Sequence, residues 1–530
     1  MKNVRRLIRY IKRVKKATGW GFLKTKYDMD RAKLYGISYS LYVKNHCYNW
    51  NVNRIKSFGK ILKAKKKTIN KIKKETKWSK GKVLKELNKY QKRGINYYYF
   101  YNYKCWELNS KETEELAELI KKSNEKEKLN KTWYINTISE KVGCSKEEAE
   151  ERLKIAKNKG YNRVKFIMSG DYDLPIDELK KMKKYKEEKY KPSDTDKAIL
   201  NEKEENKLEI MKEMNWTEQR LRLEFLKSNI NCGCTFHEYY VLRLYRKTLE
   251  EQKEFVTSEL WMKLYLRYCD YADEWEYFKQ KKLFNEKFKK YVKREWLSSK
   301  GLSYRKFKKF IRGKDTFICK PVDAACGNGI TMYKVYKLSL LNIITFLKIK
   351  LKEESVIEEI IKQHKDMASL NPETVNTVRV QVMVEDGKVN ILNATIRMGS
   401  KKGSFTDNFS SGGVMATVDP KTGKVISPAT SKFGGSYDNH PVTGAKIKGF
   451  QIPNWDKAIR MCKEASLVLK NMRYVGWDVV INKNGSTQLI EGNHDADATF
   501  HQYCWAILEN KGIRHTIDKY IWFNEDEKTI

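Results

Sequence analysis

Residues 476–493, GWDVVINKNGSTQLIEGN, have the pattern of a β-hairpin whose open end carries oxygen ligands. An apolar run leads to the turn dipeptide Asn484-Gly485, and a second apolar run follows it. Because the two arms of a hairpin are antiparallel, Asp478 on the first arm should lie near Glu491 and Asn493 on the second. Two carboxylates and an amide oxygen suit Mg²⁺ better than Zn²⁺. An ordinary surface hairpin with polar ends would have the same sequence pattern. The rest of the chain is therefore needed to distinguish a metal site from a surface hairpin.

The net positive charge of the chain indicates anionic partners but does not identify which class of anion binds. The 530 residues carry a formal net charge of +42, and residues 1–70 contain 20 Lys and Arg against two acids, Asp28 and Asp30. Such a chain attracts nucleic acid, an anionic membrane face, and phosphorylated or carboxylate substrates. A lysine-rich genome would give a similar composition, so charge alone is weak evidence for any of them.

The N-terminal residues 4–16 place apolar side chains at helical spacing between arginines and lysines. This pattern fits a basic helix lying on a membrane surface, and it equally fits a helix that docks on the protein with a solvated basic face. The chain has no 18-residue apolar run and no hydrophobic signal core. Its cysteines form no CxxC pair, which favours a reduced protein. We therefore expect a cytoplasmic protein, with peripheral binding at the inner membrane face as an option.

The first 250 residues contain a weak repeat marked by an aromatic or Cys residue and a later glycine. The spacing between these markers is about 16 residues in each unit, and a charged helical segment lies between them. Glycine suits the left-handed cap that ends a helix before an aromatic segment. We predict four helical-hairpin units with a period of 58–72 residues, near 20–60, 78–120, 144–182 and 216–250.

Two further segments of this half have ordinary interpretations. Tyrosines and basic residues alternate over 90–104, as in a platform for single-stranded nucleic acid. At helical spacing such tyrosines are more often core, so no specific nucleic-acid partner is expected. Residues 181–206 are rich in Lys and Glu and predict an exposed charged helix or a linker.

Beyond residue 313 the sequence has the character of strands and glycine loops. The strand TFICKP at 316–321 carries Lys320, and a loop with Gly327 and Gly329 leads to a second strand at 331–337. Backbone N–H groups of such a loop can close over phosphates, with the lysine adding positive charge. The spacing fits neither GxGxxG nor GxxxxGK[ST], which disfavours the Rossmann and P-loop classes.

Further motifs follow in a fixed order. The strand SVIEEIIKQH at 355–364 contains Glu358 and Glu359, and the segment 376–399 is a hairpin turning at Asp386-Gly387. The hairpin carries Arg379 and Arg397 on its two arms. A loop with Asp407, Asn408, Gly412 and Gly413 comes next, followed by a strand and a helix from Trp455 to about residue 470.

This order of motifs resembles the ATP-grasp ligases. The chain is most similar to the sugar-transfer-associated ATP-grasp family, over about residues 255–525. The segments that carry this resemblance are NTVRV, IRMG, DNFSSGG, GFQIPNW, GWDVVI and LIEGN. The resemblance implies an ATP-grasp fold of two α+β lobes with the nucleotide between them. The fold class predicted for the whole chain is therefore α+β, with an all-α repeat region at 1–250 and the ATP-grasp domain at 251–530.

The resemblance also implies roles for individual residues. Nucleotide contacts would come from Lys320, Gly327, Gly329, Asn408, Lys281 or Lys282, and from the hinge acids Glu358 and Glu359, whose shares of adenine and ribose stay open. Mg²⁺ would be bound by Asp478, Glu491 and Asn493. Many ATP-grasp ligases carry an Arg two residues before the first metal Asp, where this chain has Gly476. Arg397 or Arg379 would then steady the transferring phosphoryl group.

The function that this resemblance implies uses ATP and Mg²⁺. It is an ADP-forming ligase that converts a carboxylate, in a small molecule or peptide, into an acyl phosphate for attack by an amine. Cell-envelope or natural-product biosynthesis is the expected setting. A kinase acting on a sugar or lipid hydroxyl is the first alternative, and a non-enzymatic basic protein that binds nucleic acid or a membrane surface is the second. We expect His494 and His501 near the metal hairpin to be structural rather than bases, and we expect Asp478 and Glu491 to face solvent in the absence of metal.

Overall fold

The computed structural model describes an α+β protein, which confirms the predicted fold class. The residues it describes are 2–184, 194–269, 273–322, 329–352, 354–400, 407, 409, 412–431, 434–504 and 511–523. Helices fill the N-terminal half, and two antiparallel sheets lie in the C-terminal half. Two of the predicted site residues, Gly327 and Asn408, lie outside the described residues.

The helices are numbered in chain order. Those of the N-terminal half are α1 Lys2–Thr18, α2 Phe22–Leu34, α3 Tyr39–Lys44, α4 Val52–Thr76, α5 Lys80–Lys92, α6 Tyr97–Asn102, α7 Ser110–Val142, α8 Lys146–Lys159, α9 Arg163–Met168, α10 Ile176–Lys181, α11 Asp194–Met214, α12 Glu218–Cys232, α13 Phe236–Val241 and α14 Leu249–Gln252. Those of the C-terminal half are α15 Ser258–Tyr268, α16 Glu276–Lys279, α17 Lys281–Lys287, α18 Tyr304–Ile311, α19 Leu340–Lys352, α20 Lys365–Leu370, α21 Trp455–Ser466 and α22 Asp518–Ile521. None of the described helices is both long and apolar enough to cross a bilayer.

The chain divides into two compact units. One contains Met1–Glu125 with Trp216–Leu223, and the other contains Lys126–Asn215 with Glu224–Ile530. Within the second unit, buried residues of helices α7 to α10 share one hydrophobic core with the C-terminal sheet. The sequence predicts a domain boundary near residue 250, between two domains that each fold independently. That boundary stays a prediction.

The four predicted repeat units have the same local structure. In each, a helix of 13 to 15 residues (α2, α5, α8, α12) ends before a glycine, and a helix of six residues (α3, α6, α9, α13) follows. The glycines Gly36, Gly94, Gly160 and Gly233 have φ of 88°, 85°, 96° and 70°. A Ser, Asn or Thr side chain caps each six-residue helix by accepting a backbone N–H bond. Glycine and cap together fix the reversal between the two helices.

The N-terminal helix α1 docks on the first compact unit. Its apolar residues Ile11 and Val14 are buried in a core that also holds Met29 and Ala32 of α2. Of the two interpretations of residues 4–16, the structure therefore supports the docking helix, because Ile11 and Val14 of its apolar face are already covered by protein.

The strands form two sheets. They are β1 Trp296–Ser298, β2 Thr316–Pro321, β3 Thr331–Lys334, β4 Ser355–Glu359, β5 Thr377–Glu385, β6 Lys388–Met398, β7 Val414–Val418, β8 Ala429–Ser431, β9 Gly434–Tyr437, β10 Tyr474–Ile481 and β11 Thr487–Asn493. The smaller sheet has the order β1-β4-β2-β3, and the larger has the order β11-β10-β5-β6-β7-β8-β9.

Both predicted hairpins of the larger sheet are confirmed. The β5–β6 turn has positive φ at Asp386 and Gly387, and Gly485 has a positive φ in the β10–β11 turn. Three predicted lengths are too long, since the strand expected over 331–337 ends at Lys334, the strand expected over 355–364 ends at Glu359, and the helix expected to about 470 ends at Ser466. In the smaller sheet, Phe317 of β2 packs against Phe307 of α18 and Phe346 of α19.

Candidate active site

Strand pairing brings the predicted catalytic and metal residues together. Asp478 on β10 lies opposite Glu491 on β11 and, on its other side, opposite Arg379 on β5. Asn493 lies opposite Gly476, two residues along the same ladder. Because side chains at directly paired positions lie on the same face, one face of the sheet carries Arg379, Asp478 and Glu491 side by side.

Asp478 is held by two arginines. Arg379 donates to both carboxylate oxygens, from Nε to Oδ1 and from Nη2 to Oδ2 at 2.9 Å, and Arg397 Nη1 donates to Oδ2 at 3.0 Å. Burial alone would raise the pKa of this carboxyl, but Arg379 and Arg397 outweigh it and lower the pKa to about 2. Asp478 is only 4 % exposed, so the expectation that it faces solvent is wrong. The arginines compensate a charge that would otherwise be too costly to bury.

Gly476 makes room for one of these arginines. A Cβ atom at this position would lie 3.0 Å from Arg379 Cδ and 2.4 Å from Ala496 Cβ. Arg379 therefore approaches from the neighbouring strand β5 into the space beside Gly476, and a larger side chain at this position would displace it.

Glu491 and Asn493 form the part of the predicted metal set that lines the cavity. Burial, and next the charge of Asp478, raise the pKa of Glu491, with Arg379 and Arg397 opposing them. Two adjacent carboxylates in a buried place favour a cation between them, which fits Mg²⁺ at Glu491 with the Asn493 side chain nearby. Asp478 is less available as a Mg²⁺ ligand, since both its carboxylate oxygens already accept hydrogen bonds from arginine N–H groups. Among the described residues, no group of three or more His, Cys, Asp or Glu could hold a metal.

The opposite wall is built around the buried carboxylate of Glu358. Lys320 Nζ on β2 lies 2.7 Å from Glu358 Oε2 on β4, and Arg294 Nε lies 3.0 Å from the same oxygen. Asn285 Nδ2 donates to Oε1 at 3.2 Å. Burial would raise the pKa of Glu358, but Arg294 and Lys320 reverse the direction and hold it well below the ordinary range. Glu358 is thus the ion-pair partner that fixes Lys320 in place, and its contact with adenine or ribose stays a prediction.

Arg294 was not found from the sequence. It donates from Nη1 to the Leu489 carbonyl at 2.6 Å and from Nη2 to the Ile490 carbonyl at 3.0 Å, both on β11. It therefore joins the smaller sheet, through Glu358, to the strand that carries Glu491. No motif surrounds Arg294, and its partners are distant in sequence, so only the fold shows its place.

The remaining predicted nucleotide residues are separated. Lys281, the first residue of α17, lines the cavity, and its Nζ lies 3.5 Å from the Val322 carbonyl. Glu359 accepts a hydrogen bond from the Glu295 backbone at 2.9 Å and is absent from the described cavity wall. Gly329 has a φ of 72°, which suits the predicted glycine loop, but its neighbours 323–328 lie outside the described residues.

The two walls enclose a cavity of about 660 Å³. Its basic lining residues are Lys279, Lys281, Arg294, Lys320, Arg379 and Arg397. A volume of this size holds a nucleotide-sized ligand, and cations on both sides suit phosphate groups. Three buried nitrogens of the lining have no hydrogen-bond partner among the described residues: Arg294 Nε, which forms an ion pair with Glu358, and two others, Arg397 Nε and His501 Nδ1. Buried polar atoms normally have partners, so these two atoms indicate a place for a ligand.

Both histidines near the hairpin are neutral at physiological pH. Burial, reinforced by Arg379 and Arg397, lowers the pKa of His501 to about 3. Burial lowers the pKa of His494 to about 4, and its ring packs edge-on against Trp275 at 5.1 Å. So low a pKa makes a weak base, which agrees with the expectation that neither histidine acts as one. The His501 imidazole can still form a hydrogen bond with a ligand.

Comparison with known families identifies the class to which this cavity belongs. Residues 291–519 match the family model described as "Sugar-transfer associated ATP-grasp". The C-terminal part of the chain is thus an ATP-grasp domain. The family that it matches is the sugar-transfer associated one, as the sequence motifs predicted.

The solved structures to which this chain is similar are remote from it in sequence. D-alanine–D-alanine ligase from Bacillus anthracis, complexed with ATP, is 12 % identical, with 49 % of this chain and 67 % of that chain covered and a TM-score of 0.28. The ATP-grasp ligase PsnB, complexed with minimal precursor, Mg and ADP, is 14 % identical, with 47 % and 59 % covered and a TM-score of 0.28.

An ADP complex of N5-carboxyaminoimidazole ribonucleotide synthetase is 11 % identical, with 43 % of this chain and 47 % of that chain covered and a TM-score of 0.27. The chain therefore spans about half to two thirds of the length of these structures. No curated protein matches the chain. Identities and TM-scores this low say nothing about substrate.

Proposed function

We propose that the C-terminal domain is an ATP-dependent, ADP-forming ligase that activates a carboxylate as an acyl phosphate for attack by an amine. The observation that carries the proposal is the cavity itself. Lys320 on one wall and Arg379 and Arg397 on the other face a common space, with Glu491 and Asn493 at its edge. Transfer of a phosphoryl group to a carboxylate brings two anions together, and cations on both sides reduce that repulsion.

Each cation is positioned by a buried acid. The Glu358 carboxylate, itself held by Arg294, pairs with the Lys320 ammonium, so this charge is in place before phosphates bind. Asp478 holds the guanidinium groups of Arg379 and Arg397 in a fixed arrangement. Fixed donors need little reorganisation during the reaction, which is the main source of electrostatic stabilisation in enzymes. Arg397 Nε, which lacks a partner among the described residues, is free to donate to the transferring group.

Glu491 and Asn493 would hold Mg²⁺ at the edge of the same cavity. Bound there, the metal would offset the charge of the ATP phosphates during transfer. The amine acceptor and the carboxylate would enter the part of the cavity lined by His501 and Phe409. This part combines an apolar ring with an unpartnered imidazole nitrogen, a surface suited to orienting an organic substrate.

The substrates follow from the family only by association. The name of the family connects it with sugar transfer, which supports a carboxylate or amine on a sugar-bearing precursor of the cell envelope or of a natural product. An amino acid or a peptide is the natural source of the other group, since both contain carboxylate and amine functions.

The test is a screen of the purified full-length protein with Mg-ATP. Amino acids and short peptides serve as carboxylates, and amino sugars and amino acids serve as amines. Free phosphate is measured by a colorimetric assay, and the organic product is identified by its mass. The proposal predicts one ADP and one free phosphate per amide formed. A phosphorylated organic product without free phosphate would replace the ligase with the kinase alternative.

The Lys320→Met variant is the control for the site of the reaction. It keeps the aliphatic stem and removes the charge, so phosphate release should fall sharply while the protein stays folded. Release that persists at the wild-type rate in this variant would come from a contaminant or from another site.

A further inference from the structure

Helix α2 has an outward face that is apolar and uncovered. Leu23 is 81 % exposed, Tyr27 is 67 % exposed and Leu34 is 82 % exposed. At about 100° per residue these three side chains fall within about 40° of one another on the helix. The buried residues Thr25 and Met29 lie on the opposite face. The helix is therefore apolar on both sides, and its inner side alone accounts for its packing.

Positive charges flank this apolar stripe. On the same helical projection, Lys24 and Arg31 lie on one side of it, and Lys26 and Lys33 lie on the other. The basic character extends over residues 1–70, which contain 20 Lys and Arg against two acids.

Both of those acids are neutralised by neighbours. Asp28 pairs with Arg31 at 2.8 Å, and Asp30 pairs with Lys26 at 2.8 Å. These ion pairs also neutralise Arg31 and Lys26, so the flanking cations that form no ion pair among the described residues are Lys24 and Lys33, while residues 1–70 as a whole keep a large excess of positive charge.

We propose that this face of α2 docks on an anionic membrane surface, with Leu23, Tyr27 and Leu34 entering the boundary between headgroups and acyl chains. An apolar stripe with a lysine on each side, here Lys24 and Lys33, is typical of interfacial helices, since the stems reach the apolar layer while the ammonium groups stay among the headgroups. The docking element is α2, because Ile11 and Val14 of α1 are buried in the protein, whereas Leu23 and Leu34 of α2 are each more than 80 % exposed. This inference does not rest on the proposed ligase activity.

Two other occupants fit the same face less well. A nucleic acid would satisfy the lysines, but its phosphate backbone offers nothing to cover two leucines that are more than 80 % exposed. A second copy of this chain would cover the leucines, but it would bring two strongly positive surfaces together. An anionic lipid surface satisfies both the charge and the apolar stripe.

The test uses full-length protein and vesicle co-sedimentation. Vesicles of phosphatidylcholine alone are compared with vesicles that also contain phosphatidylglycerol, at low and high salt. We expect binding to the anionic vesicles only, and weaker binding at high salt. The double variant Leu23→Ser, Leu34→Ser should lose at least about tenfold in partitioning, since two large apolar groups no longer enter the boundary.

A matched double variant controls for the loss of exposed leucines in general. Leu208→Ser, Leu467→Ser removes two leucines that are 64 % and 54 % exposed and lie on α11 and after α21, and it should bind vesicles like the wild type. A second arm, Lys24→Gln with Lys33→Gln, should weaken binding to anionic vesicles independently of the leucines.

Several results would overturn the proposal. Vesicle binding by the Leu23, Leu34 variant equal to that of the wild type would show that the stripe does not insert. Equal binding of duplex DNA by both proteins, with no preference for lipid, would reduce the surface to a general polyanion site. A wild-type dimer that the variant converts to monomer in the absence of lipid would show that a second copy covers the face.

Discussion

Asp478 and Glu491 are cross-strand partners, yet neutralising them should have opposite effects on stability. The pKa of Asp478 is about 2 against an ordinary value of 3.8. A pKa lowered by about 1.8 corresponds to roughly 2.5 kcal/mol of stabilisation by the ionised group. Asp478→Asn also leaves Arg379 and Arg397 without their carboxylate. We expect it to reduce the free energy of unfolding by about 2 to 4 kcal/mol at pH 7.

Glu491→Gln is the matched control for Asp478→Asn, because it makes the same isosteric change at the paired position. Burial and the charge of Asp478 raise the pKa of Glu491, so its ionised form is disfavoured in the folded protein. The neutral variant should therefore be as stable as the wild type or slightly more stable. Both variants should lose turnover, since one disorders the arginines and the other removes the candidate metal ligand.

Urea denaturation at several pH values measures these effects. Because the folded pKa of Asp478 is lowered, its stabilising contribution is complete above about pH 4 and is lost as the pH falls through about 2. The difference between wild type and Asp478→Asn should shrink over that window. An Asp478→Asn protein as stable as the wild type at pH 7, or a Glu491→Gln protein that is the less stable of the two, would refute this electrostatic account.

Three further predictions concern the site and its support. Lys320→Met should weaken ATP binding by about tenfold or more in calorimetry, because one fixed charge on the phosphates is lost; unchanged affinity would remove Lys320 from the nucleotide site. Gly476→Ala should lower the melting temperature and the turnover together, since its Cβ would lie 2.4 Å from Ala496 Cβ; a fully active, equally stable variant would contradict the close approach. A truncated protein of residues 126–530 should be stabilised by Mg-ATP, whereas residues 251–530 alone should unfold at lower temperature, because the removed helices share the hydrophobic core; equal thermal stability of the two would contradict that shared core.

The sequence predicts local structure well where short-range chemistry decides it. The turn dipeptides at 386–387 and 484–485 gave the two hairpins, and the glycines of the repeats gave the helix ends, because a positive φ is a local requirement. The hairpin pattern also placed Asp478 beside Glu491, since the antiparallel register follows from the turn.

Contacts between distant segments could not be predicted in this way. Arg294 contacts Glu358 and the carbonyl of Leu489 only because the two sheets lie against each other. The hydrophobic periodicity of the sequence does not predict this contact. The arginines around Asp478 depend on the register between β5 and β10, which joins residues about 100 positions apart. The expectation that Asp478 faces solvent failed for this reason.

The central claim is that the cavity forms an acyl phosphate. It is tested most directly with a carboxylate substrate labelled with ¹⁸O in both carboxyl oxygens, taken from those that support phosphate release. Attack of the carboxylate on the γ-phosphate, followed by displacement by the amine, leaves one carboxyl oxygen on the phosphate. The account predicts one ¹⁸O atom in each free phosphate, seen as a mass increase of the phosphate. Phosphate without the label, accompanied by the same amide product, would contradict it.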